Sequence, residues 1–259
     1  MDIRVLTLFP EQIEQNLRSS ITGRALERGI YQLQCINIRD YAGNRYGKVD
    51  DKLYGGGTGM LMQCEPIYQA WLAALDGLDP EFARTQGRVR TVYLSPKGPV
   101  LREQLLPSYL GLERLILLCG HYEGVDDRVL EAMGAEELSI GDFVLSGGEL
   151  AACVFLDALL RLLPGVLPSQ EAYEAESHSD GLLECRQYTT PEVWRGWRVP
   201  QALRSGSHEA IHRWRRADAL WETAKKRPDL FRNQALEAEA YADLLEHIEA
   251  EQREAGQCL

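Results

Sequence analysis

Three short stretches carry small residues at places where strands are expected to end: Ser95 to Gly98, Gly120 to Gly124, and Ile140 to Gly148. A glycine bend between a strand and a helix lets a ligand approach the backbone, because no Cβ stands in the way. It also presents the N–H groups of a helix start. One such bend is weak evidence, since many are only tight connections. Three together would surround a small molecule with main-chain groups, which suits an adenosine-bearing ligand in an apolar slot. The third stretch leads into the acid Glu149 and an apolar helix. Neither G-x-G-x-x-G nor G-x-x-x-x-G-K-[ST] occurs, so the sequence supports neither a dinucleotide fold nor a P-loop.

A second group of residues lies between Pro164 and Cys185, where Glu174, Glu176, His178 and Asp180 stand in a polar stretch. By composition the stretch reads as an interdomain linker, and its charges as solubilising. A third group is basic. The chain carries a net charge of −11, yet Arg195 to Arg232 holds 10 Lys/Arg against 4 Asp/Glu. A polyanion could bind such a block on an acidic molecule, although a solvated helix with scattered charges has the same composition. In it, Ser205, Gly206, Ser207 and His208 precede a helix bearing Arg213, Trp214, Arg215 and Arg216, and Lys225 to Arg227 continue the positive surface. Trp214 and Trp221 are seven apart, on one helix face, and read as core rather than as base-stacking platforms.

These groups need a scaffold. Ile3–Leu8, Tyr31–Ile38, Arg90–Leu94, Arg114–Cys119 and Glu137–Ile140 read as strands. Pro10–Leu17, Thr22–Arg28, Pro66–Leu75, Leu101–Tyr109, Asp127–Met133 and Leu150–Leu163 read as helices, with Thr22 as N-cap and Gly29 as C-cap of the second. Arg39 to Gly59 reads as a long polar loop, functional or disordered, and Asp76 to Arg88 as an exposed excursion. Strands alternating with helices indicate an α/β domain with a mainly parallel sheet. The boundaries that follow are 1–163 for this domain, 164–187 for a linker and 188–259 for a small all-helical domain.

Composition sets further bounds. The six cysteines form no Cys-x-x-Cys pair and read as buried thiols, so no metal site is expected. No apolar run reaches the roughly 18 residues of a membrane span. Met1 to Pro10 shows no signal-peptide cleavage pattern, which points to the cytoplasm.

Several motifs occur in order: Leu8-Phe9-Pro10, Val49-Asp50-Asp51, Tyr54-Gly55-Gly56-Gly57, Leu94-Ser95-Pro96, Cys119 to Gly124, Ser139 to Glu149, Pro164 to Leu167, and Leu203 to Arg215. Through them the chain resembles, nearly end to end, the bacterial tRNA (guanine-N1)-methyltransferases. These are SPOUT-superfamily enzymes that modify position 37 beside the anticodon. The resemblance implies a deep C-terminal trefoil knot in the first domain, which sequence physics would not suggest. It also implies S-adenosylmethionine as methyl donor, tRNA as partner, and an obligate homodimer with active sites completed across the subunit boundary, without any other protein partner. By similarity the donor's adenosine rests on Tyr93, Leu94, Ser95, Pro96, Gly120, Ile140, Gly141, Leu145, Gly147 and Gly148. Tyr122, Glu123, Gly124 and Phe143 lie near its ribose or methionine end, and Asp142 and Val144 complete the set. Asp50, Ser205, Gly206, His208, Arg213, Arg215 and Arg216 are the implied tRNA contacts.

The family position of the guanidinium that stabilises charge on guanine O6 is Arg161. By itself this residue reads as a helix C-terminal arginine facing the dipole. Fifteen residues on, where the family usually has Asp as base, stands Glu176. The extra methylene moves its carboxylate by about 1.5 Å, so the linker backbone is expected to shift. His178, Glu174 and Asp180 are its rivals. Thr58 replaces a common Pro, Phe143 a common Tyr, and His121 a common Arg, a change that would weaken any phosphate contact made there. The target base is expected to be flipped out of its stack. Whether magnesium assists is not readable from the sequence.

Overall fold

The computed structural model describes residues 1–85, 87–167 and 176–257. Glu174 and Cys258 lie outside them. The chain divides into two compact units, Met1–Ser169 and Gln170–Leu259.

The first unit begins with β1 (Asp2–Thr7), α1 (Pro10–Leu17), α2 (Ser20–Glu27) and β2 (Gln32–Asn37). The hairpin β3 (Asp50–Lys52) and β4 (Met60–Met62) follows, then α3 (Cys64–Leu75), α4 (Pro80–Thr85) and β5 (Val89–Leu94). After β6 (Arg114–Cys119) come α5 (Asp127–Met133), β7 (Glu136–Leu138) and α6 (Glu149–Leu160). The sheet order is β2-β1-β6-β5-β7, and every neighbouring pair is parallel.

The central strand shows why. Leu115, Leu117 and Cys119 pack with Ile3, Val5 and the α6 residues Phe155, Leu156 and Leu159. Ile116 and Leu118, pointing the other way, pack with Trp71 of α3 and Val129 and Met133 of α5. A strand with helices on both faces must be apolar at every position, so β6 shows no alternation.

Several local expectations need correction. Thr22 does not cap α2 but lies inside it, its hydroxyl donating to Ser19 O at 3.0 Å. Leu101–Tyr109 is not an α-helix but a 3-10 helix over Glu103–Tyr109, because Pro107 within it has no N–H to give. Arg39–Gly59 is not all loop, since β3 pairs antiparallel with β4.

The second unit comprises β8 (Val193–Trp194), β9 (Trp197–Arg198), α7 (Gln201–Arg204), α8 (His208–Lys226), α9 (Pro228–Phe231) and α10 (Ala238–Gln257). It is therefore not all-helical. Trp194 pairs with Trp197 around Arg195 and Gly196, both at positive φ of 48° and 88°, the geometry of a tight two-residue hairpin. Part of the expected linker also belongs here: Leu182 is 2% exposed and packs with Leu220 and Leu244, and Leu183 N donates to Thr223 Oγ1 at 2.9 Å. Among the described residues no helix is long and apolar enough to cross a membrane.

Candidate active site

The C-terminal ends of β5, β6 and β7 open into one cleft, with a cavity volume of about 220 Å³. Ligands of open α/β sheets bind outside such strand ends. Its lining runs through Tyr93–Lys97, Gly120–Val125, Leu138–Gly141 and Phe143–Gly148, with Asp127 and Ala151. The structure thus brings together Tyr93, Leu94, Ser95, Pro96, Gly120, Tyr122, Glu123, Gly124, Ile140, Gly141, Phe143, Val144, Leu145, Gly147 and Gly148. Asp142 is not on the lining.

Main chain makes the cleft. Ser95 N donates to Leu138 O at 2.9 Å, and Gly148 N to Gly120 O at 2.9 Å. His121 and Gly147 form an antiparallel bridge. A Cβ on Gly148 would sit 2.7 Å from Cys119 Cα, and one on Gly98 2.4 Å from Glu137 C. At Gly141 a Cβ would lie 2.5 Å from the Phe143 ring, at a φ of 154°. Glycine is demanded here by the close approach of other chain segments. Under the loop after β6, burial, with Glu137 and Asp127 adding to it, pushes the Tyr93 phenol up to about 12, so it stays protonated.

The hairpin β3–β4 joins this rim. Glu123 N donates to Met60 O at 3.0 Å, and Met62 N to Gly124 O at 3.0 Å. A Cβ on Gly59 would meet Glu123 Oε1 at 2.5 Å. Asp50 starts β3, opposite Met62, and is not on the cleft lining. Sequence reasoning missed this docking because the pairing partners of two three-residue strands leave no periodic signal. It also missed Lys97 and Asp127, which face each other at 3.8 Å beside the cleft.

Arg161 caps the C-terminal end of α6. That helix starts at the cleft and has 12 residues, so Arg161 lies about 20 Å along the axis from Gly148. Glu176 falls in the other unit, where its carbonyl accepts from Ser179 Oγ at 2.8 Å and from Ser179 N at 3.3 Å. His178 follows at a φ of 77°.

In the second unit Ser207 caps α8, its hydroxyl accepting from Ala210 N at 3.3 Å. Gly206 takes a φ of 73° before it, Ser205 Oγ donates to Ala202 O at 2.8 Å, and His208 opens the helix. Arg213 is bound to Asp243 at 2.5 Å and Glu246 at 2.6 Å, and Arg216 to Asp180 at 2.8 Å. Among the described residues Arg215 has no ion pair within 4.0 Å. Trp214 is half-buried and stands edge-on to Tyr188 and His247. Among the described residues no group of three His, Cys, Asp or Glu could hold a metal ion.

A parallel sheet flanked by helices, whose strand-end loops wall a cleft with glycine main chain, defines an α/β protein with a small-molecule-sized cleft at its strand ends. The particular family follows from comparison with known proteins. The sequence profile of tRNA (Guanine-1)-methyltransferase TrmD matches residues 1–233, and the chain belongs to that family. It is similar to the tRNA (guanine-N(1)-)-methyltransferase of Dehalococcoides mccartyi, 44% identical over 252 residues covering 97% of this chain and 98% of the relative. The enzyme of the same name from Neisseria meningitidis serogroup C is 43% identical, with 98% and 99% covered. That of Caldanaerobacter subterraneus is 47% identical, with 91% and 93% covered.

Proposed function

We propose that the protein methylates N1 of the guanine at position 37 of tRNA, using S-adenosylmethionine, and so helps maintain the reading frame. The observation that carries this reading is the glycine-walled cleft within a chain matched to the family over residues 1–233. The residues suit the donor: Leu94, Leu138 and Ile140 would give an adenine ring an apolar wall, and the glycine main chain of the cleft would offer its edge N–H and C=O partners. When bound, S-adenosylmethionine supplies an electrophilic methyl group.

The chain's own residues prepare the acceptor. Guanine N1 is a poor nucleophile while it holds its proton, and Glu176 takes that proton as general base. Charge then builds on O6, where the Arg161 guanidinium stabilises it. Because Arg161 sits about 15 Å along α6 from Ala151, the last residue of that helix on the cleft lining, the reading includes a homodimer in which a second copy completes each site. Leu150 and Val154, four apart on α6, are 48% and 51% exposed, and Val144 at the cleft is 82% exposed. Such an apolar face suits a subunit interface. The reading also includes a deep trefoil knot in the first unit. It further includes tRNA contacts from Asp50, from Ser205, Gly206 and His208, and from Arg213, Arg215 and Arg216, and a cytoplasmic location.

Incubation of the full chain with unmodified tRNA and labelled donor, followed by mapping of the methyl group, tests this reading. Label at N1 of guanine 37 is expected; label on a ribose would mean a different SPOUT reaction, and donor binding without transfer a non-catalytic RNA-binding protein. Glu176→Gln and Arg161→Ala are each expected to lower kcat by about 10²–10⁴-fold. A Glu176→Gln enzyme with undiminished transfer would remove Glu176 from the mechanism.

A further inference from the structure

Glu149 is 1% exposed and takes no part in the chemistry above. Its two carboxylate oxygens each accept one hydrogen bond from a distant segment. Thr7 Oγ1, at the end of β1, donates to Oε1 at 2.5 Å. His121 Nε2, in the loop after β6, donates to Oε2 at 2.7 Å. The carboxylate also stands in the first turn of α6, where the helix N-terminus favours negative charge. Burying a carboxylate is costly unless it is fully paired, and an apolar contact of the same size would serve stability as well. Burial therefore calls for another account of this group.

The loop held by His121 supplies that account. Tyr122 takes a φ of 60°, an uncommon conformation for a residue with a side chain. Tyr122, Glu123 and Gly124 all line the cleft, as does His121, whereas Glu149 does not. The ring also packs on Phe9 at 5.0 Å between centroids. A Cβ on Gly147 would lie 2.3 Å from His121 Nε2 and 2.6 Å from Glu149 Oε2, so the pair fills the space against which the third glycine loop rests. The His121 ring is thus engaged inward, toward Glu149 and Phe9.

We propose that Glu149 is a positioning residue for the donor site. Acting through His121, and anchored by Thr7, it holds the strained 120–124 loop in register with the 146–148 loop, and so sets affinity for S-adenosylmethionine. This rests on the donor site proposed above.

The experiment is isothermal titration of the full-length protein with S-adenosylmethionine, with kcat, both KM values and Tm measured in parallel. Glu149→Gln is expected to weaken donor binding by about tenfold, with the KM for tRNA within about twofold. His121→Leu should match it. His121→Gln keeps a nitrogen donor near the same place and should restore affinity to within about threefold. The double variant Glu149→Gln/His121→Leu should be no weaker than either single one. Equal losses in His121→Gln and His121→Leu, or additive losses in the double variant, would overturn the proposal. So would a lower Tm with unchanged donor affinity, and if Glu149→Gln fails to fold the two His121 variants still decide. A wild-type protein that does not bind the donor would refute the function itself, a result distinct from all of these.

Discussion

Around the cleft of the first unit, chain segments meet through main chain: Gly148 lies against Cys119 and Gly98 against Glu137, with no room for a side chain between them. In the second unit, segments meet through charge. A small apolar cluster around Leu182, Leu220 and Leu244 adjoins Asp218, 0% exposed, which accepts from Arg186 Nη2 at 2.6 Å and faces His247 Nε2 at 3.0 Å. Arg186 reaches on to Glu251 at 2.6 Å, and the nearly buried Glu222 holds Lys225 and Lys226. The contrast is physical. A large two-sided sheet has apolar area to spare and can leave backbone bare for a ligand, whereas a small helical unit has little core and ties its elements with ion pairs.

The sharpest way to break that contrast is at Asp218. Asp218→Ala leaves Arg186 and His247 facing a buried gap and is expected to cost about 3–5 kcal/mol, read by denaturant unfolding. Equal stability of variant and wild type would show that the second unit does not depend on its charges. Burial raises the Asp218 carboxyl, but hydrogen bonds from His247 and Arg186 outweigh this and lower it from the ordinary 3.8 to about 2. Because its folded value is depressed, its stabilising contribution is present above pH 3.8 and lost as the pH falls through about 2. Unfolding melts of wild type and Asp218→Asn should therefore differ at neutral pH and converge at the acid end.

Gly148→Ala comes next. Its Cβ would lie 2.7 Å from Cys119 Cα, and overpacking of this kind costs about 1–3 kcal/mol. On the proposed donor site, donor binding should fall more than Tm suggests, because the displaced backbone forms the cleft wall. Ordinary donor affinity would show that the crossing tolerates a side chain.

A smaller effect separates the arginines of α8. Arg213 and Arg216 are held by acids, while Arg215 has no such pair among the described residues. Arg215→Ala should lower the slope of log K for tRNA against log salt by about 1, and Arg213→Ala by less. Equal changes would mean that the acids release Arg213 on binding.

The smallest effect concerns thiols. Burial, aided by Glu14 and Cys153, pushes the Cys35 thiol up to about 12, and burial with Glu149 pushes Cys153 up to about 11. Neither should react with a thiol reagent at pH 8 in the native protein, and both should in denaturant. Rapid native labelling would mark local opening of the sheet face they share.

How far the sequence could be read follows from the range of the interactions involved. The β6 run Leu115 to Leu118 announces a buried strand, and Gly or Pro after β5 and β6 announces the bends that line the cleft, because strand burial and bend geometry are written in adjacent residues. The hairpin at Trp194–Trp197 is equally local, in Arg195-Gly196, but helical spacing dominates the flanking residues and hides it. The docking of β3–β4 on the 121–125 loop was not legible, since three-residue strands carry no period. Nor was the pairing of Arg213 with α10: a basic block counted along the chain takes no account of acids that fold against it.

By itself the sequence determined the parallel α/β class, the strand ends that form the cleft, the family motifs, and glycine at positions where no other residue would fit. Tertiary structure alone decided which side chains those glycines make room for, that Thr7, His121 and Glu149 share one buried carboxylate, and which arginines of α8 are already engaged. The reason is that dihedral preference and hydrophobic period act between near neighbours, while hydrogen bonds and ion pairs between residues as far apart as 142 positions exist only once the chain has brought them within 3 Å.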